Sequence, residues 1–141
     1  MAQHRSNEAS QRLETIPGIG FIGATGITAT VTDPTAFRSG RDFAAWIGLV
    51  PREGSTGGKR KLGPISKQGD RYLRRILVVG AHAVLRYAKQ NPEKYPWLTQ
   101  LLARRPFKVV AAALANKMAR MAWALLAHGG TYRAPRLAAA A

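Results

Sequence analysis

Ser55 sits between Gly54 and the pair Gly57-Gly58, with Arg52, Lys59, Arg60 and Lys61 no more than six positions away. Glycines on both sides leave a hydroxyl open and let the backbone bend around it. A serine that attacks a phosphodiester needs a bound phosphate, positive charge for the pentavalent transition state, and help in losing its proton. Arginine meets the first two needs, because its planar fork matches phosphate oxygens. Thr56 adds a second hydroxyl to the same backbone-gripping set. Glu53 is the nearest carboxylate in sequence and is not assigned as the proton acceptor. Ser66, followed by Lys67 in "ISKQGDRYLRR", is the rival serine. It stands just before a helix start, where a serine caps or hydrogen-bonds a phosphate. Composition alone favours a binding loop here over a nucleophile site, and "GSTGGKRK" lacks the spacing of a nucleotide-binding P-loop.

The elements that must position these residues read as helices. Residues 1–10 are polar and expected to fray. In residues 11–32, Leu13 and Ile16 lead into "PGIG", and Ile19, Ile22 and Ile27 follow, which reads as helix, tight turn, helix. The β-branched "ITATVT" weakens the end of the second helix. Ser39, three residues before Asp42, caps a helix "RDFAAWIGL" that Pro51 stops. Residues 51–69 form the basic, glycine-rich serine loop. Asp70 or Gln68 then opens a long helix to about Lys89, with Leu73, Leu77, Gly80, Val84 and Tyr87 as its apolar stripe. Arg71, Arg74 and Arg75 lie off that stripe. A short helix covers 97–104. Phe107, Val110, Leu114, Met118, Met121 and Leu125 then recur at helical spacing until Gly129-Gly130. The expected fold is mainly α: a helix-hairpin-helix over 11–32, the serine loop over 51–69, a packed helical bundle over 70–128, and a loose tail over 131–141.

"LETIPGIGFIGA" has the form of a helix-hairpin-helix. Gly18 and Gly20 would let the backbone approach a phosphate, and the next helix would offer its free N–H groups and dipole. Such a grip reads backbone rather than base sequence. The competing reading is a plain helical turn whose glycines permit close packing.

Charge narrows the partner. Lys and Arg total 22 against 7 acids in 141 residues, a net charge of +15. So large an excess repels itself in a compact state, and a polyanion relieves it. Nucleic acid is the first expectation and a membrane surface the second. There is no cysteine, which removes disulfide and thiolate chemistry, and His4, His82 and His128 have no ligand spacing. The polar start argues against a signal peptide, and charges interrupt the apolar runs, so no membrane span is expected and the partners are taken to include no membrane. His82 reads as a core histidine, Trp46 and Trp97 as anchors, and Tyr72 and Tyr87 as packing residues before base-stacking ones.

Three segments in order, "LETIPGIG", "FAAWIGLVPRE" with "STGGK", and "ISKQGDRYLRRILVVGA", resemble the C-terminal domain of the insertion-sequence transposases that pair with a structured bridge RNA. The resemblance runs from about Leu13 to Gly129 and places that domain over 11–130. It implies a serine recombinase acting in transposition, with Ser55 as nucleophile ahead of Ser66. It implies that Arg71, Arg74 and Arg75 hold nucleic-acid backbone. It implies DNA and a guide RNA as partners, assembly as a homo-oligomer or with a full-length transposase, and a place in the bacterial cytoplasm at the nucleoid. Divalent metal belongs to the family's N-terminal RNase H-like domain. Glu8, Glu14, Asp33, Asp42, Glu53, Asp70 and Glu93 are too scattered to form that site, so no metal or cofactor is expected in this chain, which reads as a truncated copy inactive alone. The alternatives are a non-catalytic nucleic-acid-binding module and an RNA-binding protein.

Overall fold

The computed structural model describes residues 8–56, 59–65 and 70–133, with the backbone alone over 51–56 and 59–65. The fold is mainly α. Helices α1 (Glu8–Leu13) and α2 (Phe21–Thr30) are followed by a 3-10 turn (Pro34–Ala36) and α3 (Gly40–Ile47). Strands β1 (Pro51–Thr56) and β2 (Lys59–Ile65) come next. Helix α4 (Arg71–Gln90), a second 3-10 turn (Pro92–Lys94), α5 (Pro96–Arg104) and α6 (Phe107–His128) complete the chain.

Side-chain caps set the helix starts. Ser39 Oγ accepts from the Asp42 N–H at 3.2 Å, and Asp70 Oδ1 accepts from the Leu73 N–H at 2.9 Å. Each satisfies a donor that the first helical turn leaves unpaired. Helix α3 stops at Ile47 rather than at Pro51, because Gly48 takes φ +88° and turns the chain out. Helix α2 persists to Thr30 despite its β-branched residues. The hydroxyls of Thr25, Thr28 and Thr30 donate back to the carbonyls of Phe21, Ala24 and Gly26, four residues earlier.

One apolar core joins the helices. Phe43 and Ile47 from α3, Leu73, Leu77 and Leu85 from α4, and Leu114 and Met118 from α6 are fully buried in it. Helix α6 is long and apolar enough to cross a membrane, yet Val110, Ala111, Leu114, Ala115, Met118, Ala119, Ala122 and Leu125 face the protein core. Its Trp123 Nε1 donates to the Pro34 carbonyl at 2.8 Å and ties down the first 3-10 turn.

Four expectations are corrected. Residues 51–69 are not wholly a loop: 51–56 and 59–65 pair as antiparallel strands. The structured chain starts before residue 11, since α1 begins at Glu8 and Ser10 is buried. The tail is tied at its start, where the Tyr132 N–H donates to Thr15 Oγ1 at 2.8 Å. Tyr87, placed in the apolar stripe by its spacing, is exposed, and its hydroxyl accepts from Lys94 at 2.8 Å.

Candidate nucleic-acid interface

The serine segment grows out of a fixed stem. Past Gly48, the Leu49 N–H returns to the Ala44 carbonyl at 2.9 Å. Two side chains from distant helices then hold the same short segment. Arg74 Nη1 of α4 donates to the Ile47 carbonyl at 3.1 Å, and Asn116 Nδ2 of α6 donates to the Leu49 carbonyl at 3.0 Å. The far end of the ribbon leads back to Asp70, the cap of α4. The near end of the serine segment is therefore rooted in the helical core.

Within the ribbon, Ser55 pairs with Arg60, Thr56 with Lys59, Gly54 with Lys61, and Glu53 with Leu62. The register slips between Pro51 and Glu53, and Pro51 pairs with Ile65. Such a slip bends a strand and strengthens its twist. Arg52 lies at this irregularity. Ser66 and Lys67 fall outside the described residues.

The arginines after the ribbon divide by role. Arg71 and Arg75 are exposed on α4 and make no ion pair among the described residues. Arg74 is half-buried and spends a donor on the stem. Further along, Arg104, Arg105 and Lys108 are exposed. Lys117 is half-buried, its ammonium 4.2 Å from the centre of the Trp97 ring. Burial, and then Arg120, holds its pKa below the ordinary lysine range. It is a packed cation. His82 is half-buried with its ring edge-on to Phe107 at 5.1 Å. Among the described residues no three His, Asp or Glu side chains stand close enough to hold a metal ion.

The two glycines of "PGIG" also separate. Gly18 takes φ +90° and lies against Gly80 of α4: a Cβ built on it would meet the Gly80 carbonyl oxygen at 2.9 Å and Met118 Cε at 2.8 Å. The packing reading describes Gly18. Gly20 is exposed, nothing lies within 4 Å of its Cβ position, and no side chain caps α2 behind it.

Sequence reading did not find the stem anchors. The resemblance groups Arg74 with the backbone-gripping arginines of "RYLRR", whereas here it donates to the Ile47 carbonyl. Asn116 carries a faint signal, an amide at the end of the small and apolar run "AAALAN". A polar group there usually has a partner. Asn116→Leu strands the Leu49 carbonyl and is expected to cost about 1–3 kcal/mol. Urea unfolding followed by circular dichroism reads this directly, and an unchanged midpoint would show that the bond is idle.

A sequence model of the IS116/IS110/IS902 transposase family matches residues 10–96. The chain is 52% identical over 133 residues to a Pseudomonas aeruginosa protein named "Probable family 20 transposase", covering 94% of this chain and 39% of that protein. It is 44% identical over 130 residues to the transposase for insertion sequence element IS1111A of Coxiella burnetii, covering 92% and 36%. It is 46% identical over 127 residues to the transposase for insertion sequence element IS1328 of Yersinia enterocolitica, covering 89% and 38%. The chain thus spans less than two fifths of the length of these relatives.

Proposed function

The chain belongs to the IS116/IS110/IS902 transposase family, and on that premise we propose that it is the DNA-gripping, serine-bearing part of a DNA recombinase. The ribbon carries this reading. Its register sets an arginine position directly opposite Ser55, on a stem held by Arg74 and Asn116. Ser55 Oγ attacks a DNA phosphorus, a phosphoserine bond forms, and the strand's leaving oxygen takes up a proton. The hydroxyl of a second strand then displaces the serine. The bond energy of the phosphodiester is kept in the enzyme link, so no external energy source is needed. Arg52, Lys59, Arg60 and Lys61 stabilise charge on the phosphoryl oxygens. Gly20 at the start of α2, and Arg71 and Arg75, hold backbone beside the break. A structured guide RNA, and assembly with further copies or with a full-length relative, complete the reaction at the bacterial nucleoid.

The test is covalent capture on labelled DNA with a full-length relative present, comparing wild type with Ser55→Ala. A Ser55→Ala chain that still forms the adduct ends the assignment. Wild type that binds DNA but yields no adduct leaves a non-catalytic binding module.

The exposed arginines give a second measurement. Binding to duplex DNA should weaken steeply with salt, by about 0.9 log units per log unit of salt for each phosphate held. Arg71→Ala and Arg75→Ala should each lower that slope by about 1 and weaken binding evenly across sequences. Slopes equal to wild type would remove these two residues from the interface.

A further inference from the structure

We propose that the face shared by α2 and α4 binds unpaired nucleotides, with a base stacked on Tyr72 and the flanking phosphates on Arg71 and Arg75. This rests on the nucleic-acid reading above and assigns one face to strands that have lost their partner.

Large apolar groups stand open on these two helices. Ile22 is 66% exposed, Tyr72 57% and Val79 62%. Single exposed apolar residues are ordinary, but a group on one face marks an interaction surface. Tyr72, Arg75 and Val79 are neighbours on α4, three and four residues apart, and Arg71 is four before Arg75. The stripe therefore alternates an apolar body with a guanidinium. Neither α2 nor α4 contains a carboxylate, so these cations are not neutralised from their own elements.

The Tyr72 ring is also held. A Cβ on Gly26 would stand 3.2 Å from Tyr72 Cε1, and one on Gly23 would stand 2.9 Å from Ile76 Cγ2. Helix α2 thus approaches α4 closely along two glycines, and the ring rests against α2 beside Gly26. More than half of the side chain remains open to solvent. A ring fixed on one side loses little freedom when a base stacks on the other.

This combination favours one occupant. Every base has a π-face that an aromatic ring can take, and its phosphates suit arginines on either side. A duplex offers phosphates but keeps its bases stacked inside. Strand exchange exposes unpaired nucleotides, and the face lies on the first turns of the helix that Asp70 opens after the ribbon.

The test uses the full chain, as wild type, Tyr72→Phe, Tyr72→Leu and Tyr72→Ala. The probes are a labelled single-stranded DNA, the same sequence as unstructured RNA, and the matching duplex. Tyr72→Ala and Tyr72→Leu should weaken single-strand binding about tenfold or more, and Tyr72→Phe less than about threefold. Duplex affinity and the salt slope should hold, since no charge is removed. Tyr72→Leu keeps the apolar bulk, so its loss reports the aromatic face and not folding. Equal losses on DNA and RNA place the shared stacking chemistry here; a loss on one alone identifies the natural strand. Single-strand binding that is unchanged in Tyr72→Ala while duplex binding persists overturns this inference and leaves the recombinase reading standing. Tyr72-dependent binding to anionic phosphatidylglycerol vesicles but to no oligonucleotide also overturns it. A wild type that binds no nucleic acid even at low salt defeats the broader reading first.

Discussion

Ser55→Ala, assayed with a full-length relative present, is expected to abolish the covalent protein–DNA adduct and to slow strand transfer by about 10⁴-fold or more. Removal of an attacking nucleophile is among the costliest single changes in an enzyme, because no residual group forms the bond. DNA affinity should change little, since affinity rests on cations and backbone amides rather than on one hydroxyl. That split, chemistry lost and binding kept, separates a nucleophile from a phosphate contact. Alanine also fits an extended strand, so the ribbon pairing of residue 55 with Arg60 is retained. Equal losses of binding and of transfer would instead make Ser55 a contact residue, and full retention of both would leave it without a role.

Gly80→Ala is expected to destabilise the fold by about 2–3 kcal/mol, against the usual direction of this substitution. Inside a helix, glycine to alanine normally gains about 1 kcal/mol. Here the added Cβ would lie 2.1 Å from the Gly18 carbonyl oxygen and 3.0 Å from its carbonyl carbon, with Met118 Cε at 3.3 Å. The first two neighbours are backbone, so no rotamer change relieves them. The turn between α1 and α2 must move away from α4, opening contacts in a close-packed core. Gly18 already occupies φ +90°, which narrows the ways the turn can shift. Gly20→Ala is the control: nothing lies within 4 Å of its Cβ position, and a change at this helix cap costs only a few tenths to about 1 kcal/mol. Denaturant unfolding of the three proteins decides it. A Gly80→Ala chain more stable than wild type would show that the turn is not docked as the structure has it.

Much of this protein is local and legible from residue order. Apolar spacing from Phe107 to Leu125 dictates a helix face, Ser39 and Asp70 are caps by their own chemistry, and the net charge of +15 calls for a polyanion. Other features needed the third dimension. The strands around Ser55 lack the apolar alternation by which strands are recognised, and only the two-residue Gly57-Gly58 spacing hinted at a hairpin. Their pairing is a matter of backbone register, which side-chain pattern did not announce. Arg74 looks like its neighbours Arg71 and Arg75 in sequence, but rotation around α4 turns it inward to the Ile47 carbonyl while the other two face water. Asn116 and Leu49 are 67 residues apart, and no local rule relates them. Gly18 and Gly20 share one motif, yet packing closes the first against Gly80 and leaves the second open. Residue type and spacing dictate which chemistry the chain can hold; close approach between distant segments, where burial and sterics act, decides which of those residues are free to perform it.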